Sequence, residues 1–460
     1  MTDEGPFRAD RFNRTALLSV LDNTASTVEE ALDRHARTGV VIAADDVACA
    51  SYLGQAALLS AVRTAVRAFG SVWVCVPEVL PDVLGGPDVG MSLREALVTQ
   101  GAALHLPTDR VQVGERRPVI LIGAATVSPP VAPSAKVELR ATWSGWTATV
   151  APARQPTPNC DEVCVLAAIA AGALAVSEAF GLVEDRPGSD AGYRTVSLDL
   201  FAPLGGQGQA PQLAWAPSSW WLVGLGHLGQ AFAWTIAWLP YESALQAEVV
   251  LQDTDATTKS NYFTGVMTPE GSEAVPKTRL VAACLEAAGL QTRILERKLG
   301  PDLRRELEEA HVAILGIDKV AARRLTTGVG WKLAIDVGLG RGAQGYAGIH
   351  LVRFPGSRAS SDVPAWQDGG EGLGSDQVLS GSPALRELHE RDECGAVTLA
   401  GTAAGASFVG VVAGCLAIAE ACRPLNGGVP CDVLDVDLRA QSVRGGVSDH
   451  EVLPAPLRLR

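Results

Sequence analysis

Hydrophobic positions along the chain form short runs separated by glycine, proline and polar clusters, and the runs recur twice in one order. Gly39-Val-Val-Ile-Ala-Ala reads as a buried strand, Ala56–Phe69 as an apolar helix, and Ser71-Val-Trp-Val-Cys-Val and Pro118-Val-Ile-Leu-Ile-Gly as further strands. A shorter helix is predicted around Val28–Arg37. Val137–Val150 alternates like a strand pair turning at Ser144-Gly145. After the proline-rich connector Pro152–Pro158, a long apolar helix covers Val163–Leu182, and Thr195-Val-Ser-Leu-Asp-Leu closes the series. The second series begins with a strand at Trp220–Val223, a glycine turn and an apolar helix continuing from Gln230. Strands follow at Ala247–Gln252, Val312–Gly316, Lys332–Asp336 and Gly348–Arg353. A long helix at Val409–Arg423 and a strand at Val433–Leu438 end it.

The repetition extends to letters. Ala171-Gly-Ala-Leu-Ala-Val-Ser-Glu-Ala179 parallels Ala413-Gly-Cys-Leu-Ala-Ile-Ala-Glu-Ala421, and Leu53-Gly-Gln-Ala parallels Leu228-Gly-Gln-Ala. An internal duplication is therefore expected: an α/β protein of two Rossmann-like halves, residues 1–205 and 215–445, paired about a pseudo-twofold axis. The turn of the first half, Ala44-Asp-Asp-Val-Ala-Cys-Ala-Ser-Tyr-Leu-Gly54, lacks paired glycines, so that half reads as a degenerate pseudo-domain. Residues 355–393 are rich in Gly, Ser, Asp and Pro and read as a flexible crossover loop.

Composition narrows the class. With 460 residues, 47% hydrophobic and 19% charged, the chain is globular, with room for two or three domains. A formal charge of −13 argues against a general nucleic-acid binder. The nine cysteines form no C-x-x-C pair and no disulfide framework, and the start Met1-Thr-Asp-Glu-Gly-Pro has no apolar signal region, so a cytoplasmic location is expected. Gly395–Ala419 runs 25 residues without a charge, but its Gly, Ala, Thr and Ser content fits a buried loop and helix better than a membrane span.

Candidate chemistry gathers in the second half. Gly224, Gly226 and Gly229 between strand and helix make a G-x-G-x-x-G turn, where backbone N–H groups at a helix start can meet a phosphate. Asp253 ends the next strand, suited to accepting both hydroxyls of a ribose. Lys277 opens a helix, where its ammonium can meet phosphates. Asp318 stands just past a later strand, at the sheet edge where Mg²⁺ binds carboxylates. A nicotinamide-dependent oxidoreductase would share the glycine turn and the ribose acid, and leaves the remaining residues unexplained.

At these spacings the residues resemble the ThiF/MoeB and ubiquitin-activating-enzyme superfamily of adenylyltransferases: a glycine turn, D-x-D, Ser-Asn, a Lys, then an Asp with an Arg five residues on. Here those positions are Asp253, Asn261, Lys277, Asp318 and Arg323, and Arg11-Phe-Asn-Arg14 resembles the family's N-terminal R-Y-x-R. The resemblance implies ATP and Mg²⁺ as cofactors, with Asp253 on ribose, Asn261 and Lys277 on phosphates, Asp318 on the metal, and Arg11 or Arg14 reaching the triphosphate from the other half. It also implies adenylation of a C-terminal carboxylate belonging to a ubiquitin-like or sulfur-carrier-like protein or a peptide, with a downstream conjugating partner. Cys394, just before a glycine-containing stretch leading to the last helix, is the implied acyl acceptor, freed to move by a flexible flank. Two features depart from the family: His227 replaces a glycine, and Thr264 stands where the family has an arginine on phosphate. A charged hydrogen bond is worth roughly 1.5–3 kcal/mol, so the second change predicts a slower adenylation, by about 10–100-fold, or a scaffold that binds a carrier or partner enzyme without catalysing. Neither nucleic acid nor membrane is expected as a partner.

Overall fold

The computed structural model describes residues 12–104, 117–124, 137–206, 210–306, 308–340, 342–367, 375–401, 404–450 and 452–460. The first half runs α1 (Leu17–Leu21), α2 (Val28–Ala36), β1 (Gly39–Ala43), α3 (Asp46–Ala50), α4 (Tyr52–Ala68), β2 (Ser71–Cys75) and α5 (Leu93–Thr99). It continues with β3 (Ala103–Leu104), β4 (Val119–Ile122), β5 (Glu138–Ser144), β6 (Thr147–Pro152), α6 (Val165–Glu184) and β7 (Val196–Asp199). These strands make one sheet in the order β3-β2-β1-β4-β5-β6-β7, parallel through β5 and antiparallel beyond.

The second half contains β8 (Trp215–Pro217), β9 (Ser219–Val223), α7 (His227–Ala237), β10 (Glu248–Gln252), α8 (Lys259–Tyr262), α9 (Lys277–Ala287), β11 (Gln291–Leu295) and β12 (Val312–Leu315). Then come α10 (Val320–Arg323), β13 (Leu333–Leu339), α11 (Gly342–Gly345), β14 (Gly348–Phe354), α12 (Ser375–Gly381), α13 (Pro383–Arg391) and α14 (Glu393–Ala400). Last are α15 (Ser407–Cys422), β15 (Cys431–Asp437), β16 (Ser442–Val447) and β17 (Pro456–Arg458), the last pairing with β8. The second sheet, β11-β10-β9-β12-β13-β14-β15-β16, has the order of the first, again parallel through its fifth strand, with one antiparallel strand added.

Alternation within the central strands explains the layering. Val40 and Ile42 of β1 face a core shared by both halves, while Val41 and Ala43 face a smaller cluster on the outer side. That shared core is built on α4, α6, α7 and α15, with α6 packed against α15. Helix α6 is long and apolar enough to cross a membrane, yet nearly all of it is buried inside the protein. Small residues set the helix spacing: a Cβ on Gly172 of α6 would stand 2.3 Å from the Ala57 carbonyl oxygen of α4, and one on Gly414 of α15 would stand 2.9 Å from that of Ala231 of α7.

Polar residues repeat as faithfully as the strands. Gln55 donates to the Cys49 carbonyl and accepts the Leu84 N–H; Gln230 donates to the Leu225 carbonyl and accepts the Met267 N–H. Glu178 accepts the Gly192 N–H and pairs with Arg194; Glu420 accepts the Cys431 N–H and pairs with Arg423. Each buried carboxylate thus fastens the chain that leads from a long helix into the next strand.

Two expectations need correction, and one strand had not been expected. Residues 355–393, read as a flexible crossover loop, carry α12 and α13 among the described residues; Ala384, Leu385 and Leu388 of α13 are buried against Phe12, Leu17 and Val20. Composition hid this because the apolar positions of α13 are few and its partner is the distant N-terminal segment. Helix α4 starts at Tyr52 rather than Ala56, since Ser51 caps it by accepting the Gly54 N–H. The edge strand β11, half-exposed and rich in Thr, Arg and Gln, has no apolar run to announce it.

Candidate nucleotide site

Strand β9 ends at Val223, and Gly224 turns with φ +81° while its N–H donates to the Gln252 carbonyl at 2.9 Å. Two of the three glycines are needed for backbone packing. A Cβ on Gly224 would lie 2.8 Å from the Gly316 carbonyl oxygen, and one on Gly229 would lie 1.9 Å from that of Gly224. Gly226 differs: a Cβ there would meet nothing within 4 Å. It is also the N-cap of α7 and offers no side-chain cap, so the helix start faces open space with free N–H groups.

Asp253 is fixed beside this turn. Its Oδ2 accepts the Leu225 N–H at 2.6 Å, and its Oδ1 accepts the N–H groups of Thr254 and Asp255 at 2.7 and 2.9 Å. Lys277, first residue of α9, pairs with Asp255 at 3.3 Å. Asn261 lies in α8 with its Oδ1 accepting the Thr258 N–H at 2.8 Å, which closes the short helix. Thr264 packs close to Gly405, as does His227, so the loop after α8 meets the glycine turn there.

The first half reaches into this region. Asn13 donates to the Arg67 carbonyl and Thr15 to that of Ala68, tying the N-terminal segment to the end of α4. Between them, Arg14 lies within electrostatic reach of His227 and forms no hydrogen bond or ion pair among the described residues. Burial lowers the pKa of Arg14. His227 donates to the Ala406 backbone while its Nε2 is enclosed against Gly410, and burial foremost, then Arg14, push its pKa down to about 4. It is therefore neutral at pH 7. Arg67, fully buried, donates to the carbonyls of Gly265 and Thr268, and Arg63 donates to that of Val266, so α4 holds the loop that follows Asn261. Asn13, Thr15, Arg63 and Arg67 were not singled out from sequence: their partners are backbone carbonyls far along the chain.

Asp318 follows β12, exposed, with no hydrogen bond or ion pair among the described residues. No cluster of three or more His, Cys, Asp or Glu suited to a metal occurs among those residues. A single exposed carboxylate suits Mg²⁺, which usually takes one or two carboxylates with phosphate and water oxygens. Of the other expected residues, Arg11 lies outside the described residues, as does the Cys394 side chain. The backbone of Cys394 sits in the first turn of α14, after Asp392 caps that helix and directly behind α13, so the flexible flank expected for it is a helix pair. A cavity of about 680 Å³ lies elsewhere, between Tyr52 and Leu84 of the first half and Leu239 and Tyr241 of the second. Its tyrosine hydroxyls already donate to the Trp238 and Pro217 carbonyls, and it holds none of the expected site residues.

The arrangement can be set beside known proteins. Residues 39–200 match the model described as the BilD N-terminal domain, and residues 216–428 the model described as the BilD C-terminal domain. Bacterial E1-like protein BilD of Collimonas sp. (strain OK412) is 36% identical over 297 residues, which take in 63% of this chain and 63% of that relative, under two thirds of its length. Among solved structures, E. coli MccB aligns with a TM-score of 0.34 and 11% identity over 51% of this chain and 63% of its own. PaaA aligns with 0.34 and 13% over 50% and 64%. These last two alignments are too loose to support any reading of the site. Matched in both halves by the two domain models of one family, the chain belongs to the BilD family, one relative of which is named a bacterial E1-like protein.

Proposed function

We propose that the chain uses ATP and Mg²⁺ to adenylate the C-terminal carboxylate of a ubiquitin-like or sulfur-carrier-like protein or a peptide. The observation that carries this reading is a pairing. An open, uncapped helix start at Gly226 stands beside Arg14, a cation from the other half that has no ion-pair partner among the described residues. In this reading the halves act as an internal counterpart of a dimer, the second binding nucleotide and the first completing its site. The matching glutamine and glutamate contacts within each half support the internal repeat on which such a pairing rests. The relative's name, E1-like, agrees with the activity.

Gly224, Gly226 and Gly229 receive the phosphates, Asp253 the ribose, Asn261 and Lys277 further phosphate oxygens, and Asp318 the metal. Bound Mg²⁺ supplies charge neutralisation on the phosphates. The substrate carboxylate oxygen attacks the α-phosphorus, the bond from that phosphorus to its bridging oxygen breaks, and pyrophosphate leaves with the electron pair. Fixed N–H groups and Arg14 stabilise the charge that develops, so positioning and electrostatics carry the step. A thiolate at Cys394 then takes the acyl group and AMP leaves. Arg14 occupies the vicinity of Thr264 through His227 and Gly405, and in this reading it replaces the arginine that Thr264 lacks.

ATP–pyrophosphate exchange with a carrier ending in a free carboxylate tests the reading. Exchange that needs Mg²⁺ and is lost in Arg14→Ala supports it. ATP binding without exchange would instead support the scaffold reading motivated by Thr264, and absence of both would remove the nucleotide site.

A further inference from the structure

Asp336 is a fully buried carboxylate in the middle of β13, and neither of its oxygens makes a hydrogen bond. β12 and β13 pair Leu315 with Asp336, and β9 pairs Val223 with Leu315, so Asp336 stands level with the end of the strand that leads into the glycine turn. Its neighbour is Arg323, whose Nη1 lies 3.1 Å from Asp336 Oδ1. The same guanidinium donates through Nε to the Ile317 carbonyl at 2.7 Å and through Nη2 to that of Val337 at 3.4 Å. It stacks toward Trp366, and a Cβ on Gly338 would stand 2.9 Å from its Nη1. Trp366 belongs to the outer core of this sheet, which closes the pair off from one side.

Resting on the nucleotide reading above, we propose that Asp336 is a positioning residue for Asp318, acting through Arg323. The physical argument is one of leverage. Asp318 sits in the short link between β12 and α10 and has no tether of its own among the described residues. Arg323 grips the carbonyl immediately before it and is itself held on β13 by Asp336 and Val337. Gly338 leaves the space the guanidinium needs. A buried charge pair of this kind is a costly way to gain stability, because removing both ions from water offsets most of their attraction. Here burial outweighs Arg323 and raises the Asp336 pKa to about 6, so the carboxylate is a net burden to folding near neutrality. The other titratable group facing it is His350, placed opposite Gly338 on β14, with its Nδ1 2.5 Å from Asp435 of β15. What the arrangement provides is a fixed direction for Asp318.

The test compares wild type with Asp318→Ala, Asp336→Asn and the double variant in Mg²⁺-dependent ATP affinity. Groups that orient a metal ligand typically change affinity by 10–100-fold. Asp336→Asn is thus expected to raise the Mg²⁺ concentration for half-maximal ATP binding at least about tenfold. In the Asp318→Ala background it should add less than about twofold, because coupled residues are not additive. Equal effects in both backgrounds, or none in either, would overturn the proposal. Amide exchange gives a readout that needs no nucleotide. In the free chain, Asp336→Asn should speed exchange across residues 316–325 about tenfold or more while β9 and α7 stay unchanged. Unchanged exchange there overturns the positioning role even if the chain binds ATP. Accelerated exchange in a chain that binds no ATP preserves the structural link and removes the nucleotide reading instead. If Asp336→Asn does not fold, Arg323→Gln gives the same two readouts, with Asp336 free to protonate.

Discussion

The two halves share a sheet order, a buried glutamine after the first strand and a buried glutamate in the long helix, yet the start of their first large helix differs completely. In the second half Gly226 precedes α7, with no side chain over the helix start and open space in front. In the first half the counterpart is Ser51, whose hydroxyl accepts the Gly54 N–H. Glu162 lies beside the Leu53 N–H and the Ser51 hydroxyl, and α3 is inserted between β1 and α4. One half leaves a helix start free for an external anion; the other fills that place with its own serine and carboxylate. On the reading proposed above, the first half lacks a ligand site because the chain itself occupies the same electrostatic position.

That contrast can be broken or sharpened by substitution. The largest effect is expected in the shared frame. Glu420→Gln leaves Arg423 and Arg353, both fully buried, without their carboxylate and should cost about 3–5 kcal/mol in urea unfolding. Its counterpart Glu178→Gln, whose Arg194 also pairs with Asp190, should cost less, about 1–3 kcal/mol. Equal costs would mean that Asp190 gives Arg194 no compensation for the lost carboxylate.

Next comes the nucleotide. Calorimetry should find one ATP per chain, and Asp318→Ala should weaken Mg²⁺-dependent binding by about 100-fold with little change in melting temperature. A stoichiometry of two would show that the first half still binds, against the occupied helix start described above.

A smaller change makes one half resemble the other. Gly226 has φ −78° and room for a side chain, so Gly226→Ser can cap α7 as Ser51 caps α4. The protein should keep its stability while ATP affinity falls about tenfold, the weight of one charge-assisted hydrogen bond. Unchanged affinity would place the phosphates away from this helix start. The smallest effect is the converse. Ser51→Ala should cost about 1 kcal/mol of stability and create no second ATP site, since α3 and Glu162 remain. A gain of nucleotide binding would make the serine alone responsible for the difference.

Much of this was legible in the chain. Strands with continuous apolar runs, such as Val119–Ile122 and Val312–Leu315, lie where the hydrophobic pattern puts them, because burial on both faces demands such runs. The glycine turn and Asp253 were legible together because the turn needs glycine at fixed offsets and the acid follows one strand later. The helices within 355–393 were not, since Ala384, Leu385 and Leu388 acquire meaning only from the N-terminal segment that covers them. Nor was the role of His227: noted only as replacing a glycine, it is seated against Gly405 and Gly410, nearly two hundred residues on.

Local periodicity and steric need, both legible in the chain, set the alternation of strands and helices, the repeated order of the two halves and the residue types at the glycine turn. Tertiary structure alone decided that Arg14 comes within electrostatic reach of His227, that Arg63 and Arg67 hold the loop beyond Asn261, and that Asp336 holds Arg323. A side chain carries its charge in the sequence, but its partner is chosen by packing between elements that no local pattern relates.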